Sequence, residues 1–233
     1  MRLVAADQVK SKAPTVAIPS LVVPAITLEP KVLDFDVETV AAGFADPNWV
    51  PQKVTCVSWS WIGSGVVESL VCGPLGFFGR PELRREMLAP LLAEIDKADY
   101  VTGHNLERFD LGVVNAECMR LDLPPITKVL VQDTMRVYRS KGFKKGQDNL
   151  GRLFHTLEQK LSLDWQAWQD AYDEIGPDTG LAERLLDPNS SPMFMWPTIR
   201  ERAQSDVVMH MQLREELLLR GILKKPRLWR ATT

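Results

Sequence analysis

Three separated segments carry carboxylates that packing alone does not require. The first is Val32-Leu33-Asp34-Phe35-Asp36-Val37-Glu38-Thr39, where apolar and acidic residues alternate. That is the period of a β-strand, with Leu33, Phe35 and Val37 on one face and Asp34, Asp36 and Glu38 on the other. Like charges two residues apart on one strand face repel, so folding alone does not favour them. Hard divalent cations, however, take adjacent carboxylates as ligands. The plainer reading is the solvent-facing side of an edge strand. The second acid, Asp110, falls in the first turn of a helix, where it would also complement the helix dipole. The third, Asp206, lies within the apolar stripe Ile199, Ala203, Met209, Leu213 and Leu217. An acid there is costly unless something compensates it. A salt bridge to Arg202, one turn back, would do so, and so would a metal ion. Without His or Cys, Asp36, Glu38, Asp110 and Asp206 make an all-oxygen set suited to Mg²⁺ or Mn²⁺. Two such ions about 4 Å apart can activate a water and stabilise the leaving oxygen in phosphodiester cleavage.

The elements that must position these groups follow from local patterning. Gln52 to Ile62 reads as a second strand, Gly63-Ser64-Gly65 as a turn and Val66 to Cys72 as a third strand, together an antiparallel hairpin. Pro81 opens a helix with Leu83, Met87, Leu88, Leu91, Leu92 and Ile95 at helical spacing. Pro90 falls inside that pattern and predicts a kink or a break. Tyr100 to Asn105 reads as a short strand ending in a turn. The next helix places Leu111, Val114, Cys118 and Leu121 on one stripe and stops before Pro124-Pro125. Lys128 to Val131 is another short apolar run, ending at Gln132-Asp133-Thr134, and Gln147 to Leu157 reads as a helix. The stretch 164–187 is acidic and carries Trp165 and Trp168, and 176–197 is rich in Gly, Pro, Asn and Ser, which predicts a long loop or flap. Pro197 starts the last helix, which runs to about Arg220 with Gly221 as its stop. Strands followed by helices, after an initial meander, indicate an α/β sandwich with a mixed sheet.

At 233 residues and 45% hydrophobic content the chain can bury one substantial core. A net charge of -2 gives no global case for nucleic acid. Locally, Arg136, Arg139, Lys141, Lys144 and Lys145 are interleaved with Tyr138 and Phe143 and no acid. Such a run is either a solvated loop or a contact for a nucleic-acid backbone and its bases. Cys56, Cys72 and Cys118 lie far apart, which fits neither a disulfide framework nor a zinc site and suits a reducing compartment. No run is long and apolar enough to span a bilayer. Pro14, Pro19, Pro24 and Pro30 interrupt the apolar N-terminal stretch before a signal-peptide core can form, so a cytoplasmic location is expected. Residues 1–30 read as a proline-rich extended arm, 31–221 as one domain and 222–233 as a basic tail. The tail sets Lys224, Lys225, Arg227 and Arg230 around Trp229 and reads most simply as disordered.

Phe35-Asp36-Val37-Glu38-Thr39 resembles the first motif, DxET, of the DEDD (DnaQ-like) 3′–5′ exonuclease superfamily. His104-Asn105-Leu106-Glu107-Arg108-Phe109-Asp110 resembles its second motif, HNxxFD, and Asp206-Val207-Val208 its third. Gln132-Asp133-Thr134 and Asp148-Asn149-Leu150 resemble further stretches of the family, and the similarity runs in the family's order over roughly residues 31–221. The resemblance implies a ribonuclease-H-like fold, an antiparallel meander followed by parallel strands with helices flanking the sheet. It also implies removal of nucleotides from a 3′ end of single-stranded DNA or RNA, with replication or repair proteins as expected partners. Asp36, Glu38, Asp110 and Asp206 would hold two Mg²⁺ or Mn²⁺ ions. Thr39, His104, Asn105 and Phe109 would contact the terminal nucleotide, and Lys144 and Lys145 the backbone.

The third motif departs from the family. Members carry a Tyr four residues, or a His five residues, before the last aspartate, and here those positions are Arg202 and Glu201. Arginine keeps its proton and cannot be the base. It could instead steady the scissile phosphate, or pair with Asp206. Glu201 and His210 are the other candidates for water activation. The expectation is an exonuclease that needs no such side chain. A nucleic-acid or partner-binding module on the same fold, and a structure-specific endonuclease with the same metal chemistry, are the alternatives.

Overall fold

The computed structural model describes residues 29–40, 53–72, 80–137, 146–154, 156, 161 and 191–231, with backbone alone at Val40 and over 191–198. The strands are β1 (Val32–Val40), β2 (Lys53–Trp61), β3 (Glu68–Val71), β4 (Tyr100–Gly103), β5 (Lys128–Asp133) and β6 (Arg227–Arg230). The helices are α1 (Pro81–Lys97), α2 (Asp110–Arg120), α3 (Gln147–Phe154) and α4 (Ser191–Leu219), with a 3-10 turn at Thr134–Arg136. The strands form one sheet in the order β3-β2-β1-β4-β5-β6. β1, β2 and β3 pair antiparallel, β4 and β5 run parallel to β1, and β6 returns antiparallel to β5. An antiparallel meander continued by parallel strands, with helices on both faces, is the ribonuclease-H-like α/β arrangement. It also puts β1 inside the sheet, so its acidic face is not that of an edge strand.

The alternation in β1 sends its residues to two different helical layers. On the Leu33 side, the cross-strand partner Trp61 donates its indole N–H to Glu94 of α1 at 3.0 Å. A buried Arg84–Glu117 ion pair at 3.1 Å ties α2 to α1. Leu33, Phe35, Val37, Trp59, Met87, Leu88, Leu91, Leu111 and Val114 belong to that core, and their burial is what holds these two helices on the sheet. On the Asp34 side lies α4. Its Ile199, Ala203, Val207, Met209, Leu213 and Leu217 are buried, and among them runs a polar row at four-residue spacing: Arg202, Asp206, His210 and Arg214. Such a row is inclined to its helix axis. The row accordingly starts over β1 and ends over β4 and β5, where Arg214 donates to Tyr100 Oη and Gln132 Oε1, both at 3.0 Å.

Five expectations change in detail. The hairpin turn is as expected, with Gly63 and Gly65 at positive φ, but its strands are Lys53–Trp61 and Glu68–Val71. α1 runs through Pro90 without a break. Pro90 faces solvent, so the carbonyl it leaves without an N–H donor can reach water while Met87, Leu88 and Leu91 stay anchored on the other side. α4 begins at Ser191, six residues before Pro197, and α3 stops at Phe154. The C-terminal segment is not a disordered tail: Arg227–Arg230 forms β6, with Trp229 opposite Val129 and packed against the core. The N-terminal arm up to 28, the basic residues 138–145 and most of the expected flap, 162–190, lie outside the described residues.

Candidate metal centre

Asp36, Glu38 and Asp206 come together where β1 crosses α4. Each offers a carboxylate oxygen, and the three oxygens lie within 4.8 Å of one another. The two elements meet rung by rung. Asp34 faces His210, Asp36 faces Asp206, and Glu38 faces Arg202. Two strand residues advance about 6.8 Å and four helical residues about 6.0 Å, so the side chains of the two elements arrive nearly in step. A local irregularity refines the last rung. The β1–β2 register slips between Glu38 and Thr39, and Thr55, the extra residue in β2, donates its hydroxyl to Glu38 O at 3.0 Å. A bulge of this kind re-aims the side chains next to it.

The donor set fits a hard divalent cation. It is all carboxylate, two of the three acids are buried, and none of the ligand atoms is nitrogen or sulfur. An octahedral ion with ligands at about 2.1 Å holds adjacent oxygens about 3.0 Å and opposite ones about 4.2 Å apart, so three oxygens within 4.8 Å of one another must draw together to close on one ion.

Asp110, the fourth acid, lies beside the cluster and not within it. It begins α2, and its Oδ1 accepts the Val37 N–H at 3.2 Å, between the two β1 ligands in sequence. Burial pushes its carboxyl up to about 7, and the charges of Asp133 and Glu38 add to that push against the Val37 N–H. Arg202, expected to contact phosphate or Asp206, makes its short contact with Glu38. Its Nε is 2.7 Å from Glu38 Oε1 and 4.0 Å from Asp206 Oδ2, and its Nη1 donates to Leu161 O at 2.9 Å. Glu201 is exposed on the other side of α4.

The residues 104–110 are organised by a residue that the sequence named only as part of the Gln132-Asp133-Thr134 stretch, without this role. Asp133, at the end of β5, accepts N–H bonds from Asn105 at 2.9 Å, Glu107 at 3.1 Å and Met135 at 2.8 Å. These hold the 104–107 turn, in which Asn105 takes φ +68, a left-handed conformation that asparagine tolerates. Gly103 precedes the turn because a Cβ there would lie 2.3 Å from Leu106 Cδ1 and 2.9 Å from Phe35 O. His104 is half-buried, with Nδ1 3.0 Å from Thr134 Oγ1. Phe109 packs against the core at the start of α2, and Thr39 is half-buried beside the bulge. Lys144 and Lys145 lie outside the described residues.

Asp34 and His210 form a separate buried pair. His210 Nδ1 is 2.5 Å from Asp34 Oδ2, and its Nε2 is 3.0 Å from Thr134 Oγ1, the same hydroxyl that meets His104. Burial raises the Asp34 carboxyl, and the charges of His210 and Arg214 work against that rise. His210 is thus spent on structure, joining β1, α4 and the second-motif turn. Its signal in the sequence was its place one turn beyond Asp206 in the same row.

No family model matches the chain, and no curated protein sequence does. Among solved structures it is similar to the family B DNA polymerase from the hyperthermophilic archaeon Pyrobaculum calidifontis, at 20% identity and a TM-score of 0.41. The match covers 82% of this chain and 25% of that one, so the chain spans about a quarter of the polymerase's length.

Proposed function

We propose that this chain is a divalent-metal-dependent 3′–5′ exonuclease that hydrolyses phosphodiester bonds of DNA or RNA. The observation that carries the reading is the convergence of Asp36, Glu38 and Asp206 on one small volume, from two elements far apart in sequence. Three acids held that close repel one another, and a ribonuclease-H-like sheet needs none of them for its core. Asp36, Glu38 and Asp206 would hold Mg²⁺ or Mn²⁺, with Asp110 supporting the strand between the two β1 ligands. Ions held there would supply charge neutralisation at the scissile phosphate and lower the pKa of the attacking water. Water adds to phosphorus as the bond to the 3′ oxygen breaks, and that oxygen leaves with a proton. Thr39, His104, Asn105 and Phe109 are assigned to receive the terminal nucleotide. Lys144 and Lys145 contact its backbone. The exonuclease domain, read from the sequence as 31–221, takes in β6 as well, and its partners are replication or repair proteins.

The Arg202–Glu38 ion pair favours a second reading, a nucleic-acid-binding module in which arginine has taken over the charge balance of the cluster. Digestion of 5′-labelled single-stranded DNA and RNA with Mg²⁺ or Mn²⁺ separates the two. A ladder shortening from the 3′ end, lost in Asp36→Ala, is the expected outcome. Retained binding without cleavage overturns the exonuclease reading in favour of the module, and internal cuts would make the enzyme an endonuclease.

A further inference from the structure

β6 is the last strand of the sheet, and among the described residues no strand pairs with its outer side. The Ala231 N–H donates to Thr127 O at 3.1 Å, which makes those two residues a hydrogen-bonded pair of the antiparallel β5–β6 ladder. Such pairs alternate with pairs that exchange no bond. Val129 and Trp229 are therefore a bonded pair, while Leu130 and Leu228, and Lys128 and Arg230, are not. The backbone N–H and C=O groups of Leu228 and Arg230 consequently point away from β5, toward the free edge. The side chains of these two rungs share one face. Val129 and Trp229 pack into the core on the side of α1 and α2, so Lys128, Leu130, Leu228 and Arg230 lie on the side of α4. The helix does not cover them: Leu130 is 43% and Leu228 47% exposed, and both cations are exposed. Like charges directly opposite one another weaken a strand pair, and the leucines beside them leave apolar area in water.

We infer that β6 is a docking edge for an extended segment of a partner protein, which adds to the sheet with an apolar residue beside Leu228 and a carboxylate beside Arg230. The inference does not depend on the metal centre. Residues on one face of a strand are two apart, so the segment carries its apolar and acidic residues at that spacing. Main-chain bonds to Leu228 and Arg230 supply affinity, and the two side-chain contacts supply selection. Cations on an edge strand discourage indiscriminate pairing, and here they admit a strand that brings an acid. A second copy does not meet that demand, because β6 against β6 adds arginines to the patch and no acid. Nor do the chain's own first 28 residues, which hold one acid, Asp7, against Arg2, Lys10 and Lys12. A nucleic-acid strand would meet the cations and leave the leucines and the edge amides unused.

The test uses the full chain and a fluorescein-labelled heptapeptide of serine and threonine that carries one leucine and one glutamate two positions apart. Fluorescence polarisation, followed to millimolar concentration, is expected to show saturable binding. Placing leucine and glutamate next to each other, hence on opposite faces, weakens it about tenfold or more. The double variant Lys128→Glu, Arg230→Glu weakens it as much and takes the peptide with lysine in place of glutamate instead. Leu228→Pro removes an N–H that β5 does not use and abolishes binding. Circular dichroism checks that each variant is folded. Hydrogen exchange needs no variant: the Leu228 and Arg230 amides exchange fast in the free chain and slow when peptide is added. Edge amides already protected in the free chain would give the edge to another segment of this chain or to a second copy. That result, absence of peptide binding, or binding indifferent to the spacing or to the charge reversal would each overturn the inference. Charge-dependent binding of oligothymidine without peptide binding would overturn it in favour of a nucleic-acid surface.

Discussion

Asp110 is held differently from the other three acids of the site, by a backbone N–H and not across the cluster. With its folded pKa near 7 against 3.8 for the free side chain, the folded chain binds more protons than the unfolded chain between those values. Stability of the metal-free protein therefore falls as pH rises from about 4 to about 7, by at most about 4 kcal/mol from this group. Asp34 shifts in the same direction, so the comparison that isolates Asp110 is with Asp110→Asn. Urea midpoints measured from pH 5 to pH 8 should decline less steeply in that variant, and an unchanged slope would count against the assignment. His210 makes a second prediction at this scale. His210→Ala leaves the Asp34 carboxylate buried without its imidazole, at a cost of about 3 kcal/mol or roughly 10 °C in melting temperature. Asp34→Leu in the same chain should recover most of that loss. Asp36, Glu38 and Asp206 were legible in the sequence because acids at apolar or repelling positions stand out against a hydrophobic period. The partner of Arg202 was not. Glu38 lies 164 residues away, and periodicity within one helix points to Asp206 instead.

Elements were most legible where one residue type enforces the geometry. Gly63 and Gly65 fixed the hairpin turn through positive φ, Gly221 ended α4 in the same way, and the stripe of α2 is buried as its spacing implied. Proline was a poorer guide. Pro90 and Pro197 both lie inside helices; at Pro90 the anchoring of Met87, Leu88 and Leu91 on the opposite face outweighs the lost hydrogen bond and the clash. Pro90 still carries a cost. Replacing it with alanine restores an N–H donor to α1 on its solvent side, and Pro90→Ala should raise stability by about 1–3 kcal/mol, measured as the shift in urea midpoint. A decrease would mean that α1 depends on the proline. The second-motif turn was legible as a motif but not as a structure, since Asp133, which secures it, comes from a different strand.

For the molecule as a whole, the mixed sheet followed from the order of strands and helices, while its last strand did not. Arg227-Leu228-Trp229-Arg230 is short and follows Lys224-Lys225-Pro226, and nothing local distinguishes it from a solvated end. Its pairing with β5 becomes visible only with the partners in place: Trp229 opposite Val129, Arg227 on Glu107, and the Lys224 carbonyl accepting from Gln132 Nε2 at 2.9 Å. Removal of 222–233 should therefore cost about 2 kcal/mol, roughly 4–8 °C in a thermal melt. An unchanged melting temperature would show that β6 is ornamental to stability. Where β1 crosses α4, the two elements act as the scales of a vernier. Their divisions differ by about 0.8 Å, so they coincide at Asp36–Asp206, read true for one division on either side, and are about 1.6 Å out at the next. That is more than a hydrogen bond tolerates. Arg214, the next mark on the helical scale, would meet the apolar Val32 on β1, and with the row inclined to the helix axis it reads against β4 and β5 instead. Two rulers of fixed pitch thus set the length of the site at three divisions, whatever the length of chain between them.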